Sequence, residues 1–208
     1  MIIDSKEKSY FLGFMWSDGY IRHYVAKNKV YNHKISLEIN KDDAEAIKPI
    51  LDNVLKFSIH KRKRKKNWKE TWTFSKNSKI LYDFLESNDY RDKSKVEPSK
   101  ILTLIPEQFK IYFWKGVLDG DGSMGLAGRG AYLELASTYD YKYIEFGNWI
   151  NSFGISGNIY RQISKKNHKS SVYKIYGKKI IPIGKALPEY GLLRKNDKLK
   201  QILNKYEK

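Results

Sequence analysis

The chain contains no cysteine, so neither a disulfide framework nor a cysteine-based zinc site is available to it. Its 4 histidines, at positions 23, 33, 60 and 168, match no zinc-ligand spacing. Apolar runs long enough to span a bilayer are missing too. The opening Met1-Ile2-Ile3-Asp4-Ser5-Lys6 lacks the apolar stretch of a secretory leader, so a soluble, intracellular protein is expected. Acidic residues are scarce relative to basic ones: 23 Asp+Glu against 40 Lys+Arg leave a formal net charge of +17. Such an excess repels itself unless a polyanion relieves it, and DNA, RNA or an anionic membrane would serve. The basic residues run along the whole chain, which points to a charged binding face rather than a basic tail. With 41% of its 208 residues hydrophobic, the chain has apolar material for one sizeable domain or two small ones.

What the sequence does contain is a repeat. Phe11-Leu12-Gly13-Phe14-Met15-Trp16-Ser17-Asp18-Gly19 and Trp114-Lys115-Gly116-Val117-Leu118-Asp119-Gly120-Asp121-Gly122 both read as an apolar helix with a mid-helix glycine. A small residue follows four positions later, then Asp-Gly. The segments behind them match as well. Leu37-Glu38-Ile39 and Leu133-Glu134-Leu135 alternate as strands do, and helical stretches follow over 44–55 and 141–153. Trp72-Thr73-Phe74 then answers to Tyr173-Lys174-Ile175, Asp83-Phe84-Leu85 to Lys185-Ala186-Leu187, and Lys93 to Lys195. The pattern predicts two αββαββα halves, 1–100 and 101–208, joined by a basic, proline-containing linker over 93–106.

A mid-helix glycine costs about 1 kcal/mol relative to alanine. Gly13 and Gly116 share a helix face with the small residues Ser17 and Gly120, because positions i and i+4 lie above one another. Two such faces let two backbones approach closely, so the motif helices are expected to pack on each other through Gly13, Ser17, Gly116 and Gly120. Asp18 and Asp121 then meet at two helix C-termini, where the helix dipoles already place partial negative charge. Carboxylates in that position repel each other, and a divalent cation with oxygen ligands, Mg²⁺ above all, relieves the conflict. Gly19 and Gly122 are expected to stop the helices. A calcium loop opening at Asp119-Gly120-Asp121 is excluded, since its required sixth and twelfth positions hold Met124 and Gly130.

These segments resemble the paired motifs of single-chain LAGLIDADG homing endonucleases, and the likeness spans nearly the whole chain. Gly116, Asp119, Asp121 and Gly122 fit the motif closely. The first copy is looser, with Trp16 where the family often has an earlier aspartate. The resemblance implies an α+β fold of two pseudo-symmetric half-domains, each with an antiparallel sheet, packed through the motif helices into a DNA-binding saddle. It implies a metal site for Mg²⁺, replaceable by Mn²⁺, at Asp18 and Asp121 with Gly19 and Gly122 beside them. A catalytic lysine near the end of each half is implied too: Lys93 and Lys195, with Lys95 and Lys198 the nearest rivals.

On such a saddle the strand residues face duplex DNA. Half one offers Arg22, His23, Lys27, Lys29, Lys34, the run Lys61-Arg62-Lys63-Arg64-Lys65-Lys66, Trp68 and Lys69. Half two offers Arg129, Arg161, Gln162, Lys165, Lys166, His168 and Lys169. Arginine and glutamine would read base edges, while most lysines would hold phosphates. The implied activity is double-strand cleavage of a long, non-palindromic target by a monomer. The alternatives are an intron-splicing maturase, which would bind RNA, or a DNA-binding regulator without cleavage.

Overall fold

The computed structural model describes residues 1–25, 31–63, 69–128, 130–164 and 167–207. In the first half the order is α1 (Lys6–Asp18), β1 (Gly19–Val25), β2 (Tyr31–Asn40), α2 (Lys41–Val54), β3 (Ser58–Arg62), β4 (Thr71–Asn77) and α3 (Lys79–Ser87). After α4 (Ser99–Leu104) the series begins again with α5 (Glu107–Gly120), β5 (Gly122–Ala127), β6 (Gly130–Thr138), α6 (Ile144–Asn151), β7 (Asn158–Ile163), β8 (Lys169–Tyr176) and α7 (Ile181–Ala186). A final helix, α8 (Leu193–Tyr206), follows. Each half builds a four-stranded antiparallel sheet in the same order, β1-β2-β4-β3 and β5-β6-β8-β7. The fold is the expected duplicated α+β arrangement, with α4 and α8 added to the seven-element pattern.

Local chemistry sets the boundaries. Ser5 caps α1 by accepting from Lys8 N at 3.3 Å. Asn40 caps α2 by accepting from Asp43 N at 3.1 Å, so that helix starts earlier than the apolar pattern alone indicates. The stretch expected to be a plain linker holds α4 and is tied to the second half. Thr138 Oγ1 donates to Ser94 O at 2.6 Å, and Glu97 accepts from Ile144 N and Glu145 N at 2.6 and 2.7 Å. Those two amides are orphan donors at the start of α6, where a carboxylate also meets the positive end of the dipole.

The sheets bury one face each. Ile35, Leu37, Ile39, Trp72 and Phe74 point inward from the first, and Leu133, Leu135, Tyr173 and Ile175 from the second. Between them α1 and α5 pack backbone to backbone. A Cβ on Gly13 would sit 1.9 Å from Phe113 O, one on Gly116 2.2 Å from Tyr10 O, and one on Gly120 1.9 Å from Ser17 Oγ. No side chain fits at these positions, which accounts for glycine in both helices despite its helix cost.

Candidate active site and nucleic-acid interface

Asp18 and Asp121 end the two packed helices. Both side chains reach solvent at their tips while protein packs closely around them. Crowding and the charge of Asp18 push the Asp121 carboxyl up to about 6, against the pull of Lys93 and Lys195. Asp18 is also raised, by crowding first, while Lys195, Lys93 and Arg194 oppose the rise. The pair thus holds negative charge reluctantly. That donor set suits a hard divalent cation taking its remaining ligands from water and phosphate.

Gly19 and Gly122 do not stop the helices through a left-handed turn. Gly19 is extended, at φ −77°. Their need for glycine is one of space: a Cβ on Gly19 would lie 2.5 Å from both Met15 Sδ and Tyr90 Oη, and one on Gly122 2.4 Å from Leu118 O. Their carbonyls each accept from a lysine. Lys93 Nζ donates to Met15 O, Ser17 O and Gly19 O at 3.1, 2.6 and 2.6 Å. Lys195 Nζ donates to Leu118 O, Asp119 O and Gly122 O at 2.6, 2.6 and 2.7 Å, with Gly120 O at 3.4 Å. Among the described residues no cluster of three or more His, Asp or Glu could hold a metal.

The two lysines occupy equivalent places in the repeat, and each ammonium spends its three donors on carbonyls of its own motif helix or the turn behind it. In this arrangement neither has a donor left for a water or a phosphate. They satisfy the orphan carbonyls of α1 and α5 and set positive charge against the negative dipole ends. Burial lowers both to about 8, opposed by the nearby aspartates, so both stay charged at neutral pH. Lys95 and Lys198 are exposed and take no part in this bracing.

Sequence reasoning missed the polar core beside the site. Asp119, 1% exposed, accepts from Tyr10 Oη at 2.8 Å, from Lys115 Nζ at 2.6 and 2.7 Å, and from Leu192 N at 3.0 Å. It links α1, α5 and the start of α8. The signal was visible, since Lys115 interrupts an otherwise apolar helix four residues before an acid. Also missed was Arg194, whose Nε lies 2.8 and 2.9 Å from the two carboxylate oxygens of Asp43 in the other half. Beside Asp121 a cleft of roughly 320 Å³ opens between Trp16, Lys93, Ala136, Thr138 and Tyr141.

Strand register sorts the expected DNA contacts. Arg22 and Lys34 pair across β1 and β2 on the face opposite the buried residues, and Arg62 lies on that face too. Gln162 is on the matching face of the second sheet. His23 and Lys61 instead point to the helix side. His23 stacks on His33 at 4.8 Å beside Tyr82, and Lys61 Nζ sits 4.1 Å over the Trp72 ring. Arg161 also leaves the outer face, donating from Nε to Tyr139 O at 3.2 Å, with Lys169 5.8 Å over the Tyr139 ring. Lys63 and His168 are exposed in loops beyond the strands, and Lys69 is exposed too, 3.7 Å from Asp42. Lys27, Lys29, Arg64, Lys65, Lys66, Trp68, Arg129, Lys165 and Lys166 lie outside the described residues.

Paired αββαββα repeats meeting at glycine-faced helices that each end in aspartate define the two-repeat LAGLIDADG architecture. The fold is similar to that of I-DmoI in complex with DNA and Ca, with a TM-score of 0.62 at 17% identity over 88% of each chain. It is also similar to the LAGLIDADG homing endonuclease I-GzeII in complex with its DNA target, with a TM-score of 0.61 at 13% identity over 96% of this chain and 90% of that one. I-DmoI in complex with DNA and Mn matches with a TM-score of 0.55 at 17% identity, over 82% of this chain and 89% of that one. No curated protein sequence gives a significant match. Residues 7–95 and 110–187 match the WhiA LAGLIDADG-like domain, and the chain belongs to that family.

Proposed function

We propose that this protein binds duplex DNA across the outer faces of its two sheets and cuts both strands at a long, non-palindromic site. The observation that carries this reading is the pair of carboxylates at the ends of the backbone-packed helices. Asp18 and Asp121 would hold divalent cation, which when bound supplies a Lewis acid for the phosphoryl oxygen and lowers the pKa of an attacking water. The glycine faces keep the two carboxylates side by side, and Lys93 and Lys195 fix the turns that carry them. Arg22 and Lys34 lie directly opposite each other on one outer face, a like-charge pair that costs stability until an anion lies across it. A phosphate backbone is such an anion.

A second reading is a DNA-binding regulator that does not cut. It is favoured by the engagement of both lysines with carbonyls. Mg²⁺-dependent cleavage of a library of randomised duplexes separates the two. Under the nuclease reading the protein cuts one long site, and Asp18→Asn and Asp121→Asn abolish cutting while binding persists. Specific binding with no cutting in Mg²⁺ or Mn²⁺ leaves the regulator.

A further inference from the structure

The two carboxylates sit in unequal surroundings, and the difference is one side chain contributed by the opposite half. Leu37 and Leu135 pair with the two post-motif glycines. Counted from them, Asp43 and Tyr141 occupy the same step. Tyr141 borders the open cleft beside Asp121. Asp43 instead receives Arg194, whose neighbour Lys195 braces α5. The residue before Lys93, the equivalent brace, is the acidic Asp92.

Arg194 is held from both ends. Leu192 N donates to Asp119, which pins the start of α8. Asp43, only 6% exposed, is itself fixed by Asn40 Nδ2 at 2.6 Å and accepts Arg194 Nε on both oxygens. The guanidinium side chain nevertheless remains 50% exposed. Its two amino groups make no hydrogen bond among the described residues, leaving four N–H donors, two of them side by side along the far edge. A planar fork anchored through Nε and open at its far edge is the shape that grips a phosphate through two parallel bonds.

We propose that Arg194 contacts a backbone phosphate at the Asp18 end of the site and has no counterpart among the described residues at the Asp121 end. The inference rests on the nuclease reading for its rate consequence, though not for the contact itself. By the repeat, the Arg194–Asp43 pair stands at the Asp18 end where Tyr141 stands at the Asp121 end. The consequence is unequal dependence of the two strands on one guanidinium.

A supercoiled plasmid carrying the selected target, with strand-specific end labels, reads this directly. Arg194→Gln is expected to slow cutting of one strand by about 10²-fold, the loss typical of removing one charge-stabilising donor. The other strand keeps its rate and nicked circles accumulate, while Arg194→Lys restores part of the lost rate. Equal slowing of both strands, or none, would overturn the proposal and reduce the Asp43 pair to a clasp between halves. Binding in Ca²⁺ to duplexes carrying single methylphosphonates across the central bases decides the matter without cleavage. Wild type should lose affinity at one phosphate, on one strand, where Arg194→Gln loses none. If wild type binds but never cuts, the nuclease reading fails while this comparison still stands. Identical methylphosphonate profiles for wild type and variant would sink the contact.

Discussion

Leu12 and Trp16 in the first motif helix stand where Lys115 and Asp119 stand in the second. In the first half Trp16 packs edge-on against Tyr90 at 5.9 Å, and the Tyr90 hydroxyl donates to Met15 O at 2.5 Å. In the second half the same space is filled by a buried ion pair that also collects a phenol and an amide. What stays the same across the halves is the glycine face, the terminal aspartate and the lysine brace. What differs is how the volume behind the site is filled. Geometry that brings two backbones together tolerates no variation, whereas a filled volume accepts either apolar or fully satisfied polar contents.

Removing one member of the polar filling should have the largest effect. Asp119→Ala leaves Lys115 charged and buried without its partner, and a loss of about 3–5 kcal/mol is expected in urea unfolding. Replacing both, Lys115→Leu with Asp119→Leu, imports the apolar solution of the first half. It should recover most of that loss, leaving about 1–3 kcal/mol for the stranded Tyr10 hydroxyl and Leu192 amide. A double variant no better than the single would break the equivalence drawn between the halves.

Next in size are the glycines. Gly13→Ala and Gly116→Ala each drive a methyl group into a partner carbonyl that belongs to a helix and cannot swing aside. Each should cost about 3 kcal/mol, the upper end of overpacking, and the two losses should be similar. If one is silent in denaturant melts, the interface is not symmetric.

The acidic pair gives a smaller effect, and its sign is specific. The Asp121 carboxyl titrates near 6 in the folded protein, above the ordinary carboxylate value of 3.8. Its ionised form therefore subtracts stability above pH 6, and that penalty disappears as the pH falls through 6 towards 4. Asp121→Asn should melt higher than wild type at pH 7 without metal, and the gap should close near pH 4. Added Ca²⁺ should stabilise wild type but not the variant, with affinity weakening as the pH drops below 6. A variant that melts lower at pH 7 would show that the carboxylates are not in conflict.

The smallest difference lies on the sheets. Glu134 and Lys174 form an ion pair of 2.7 Å on the outer face of the second sheet, with Lys174 also 4.8 Å over the Tyr132 ring. Arg22 and Lys34 on the first sheet have no ion-pair partner among the described residues. Arg22→Ala or Lys34→Ala should lower the salt slope of DNA binding by about 1, whereas Lys174→Ala should leave it unchanged. Equal slopes for all three would remove the distinction between a basic sheet and a neutralised one.

Much of this organisation was legible in the sequence because it is written in spacing. The glycine face, the terminal Asp18 and Asp121 and the order of elements along the chain all follow from periodicity and duplication. What escaped depends on register and distance. His23, Lys61 and Arg161 carry the right chemistry for a DNA face, yet a strand turns alternate residues to opposite sides and sequence alone does not say which. Arg194 and Asp43 are far apart along the chain, and α4 is too short to show a helical period. The bracing by Lys93 and Lys195 was likewise hidden, since an ammonium on a carbonyl and one in water look alike in a sequence rich in lysine.

The seam between α1 and α5 is made of main chain, and main chain is common to every protein. Little in that contact identifies one half as belonging with the other, apart from the small residues that clear the way. Halves of different ancestry with the same gaps could therefore be spliced end to end and still close. Compatibility would be decided at the few points where side chains cross the seam, such as Tyr10 on Asp119 and Arg194 on Asp43. Exchanging partners across such a joint would combine two half-site preferences in a single polypeptide by recombination rather than by redesign.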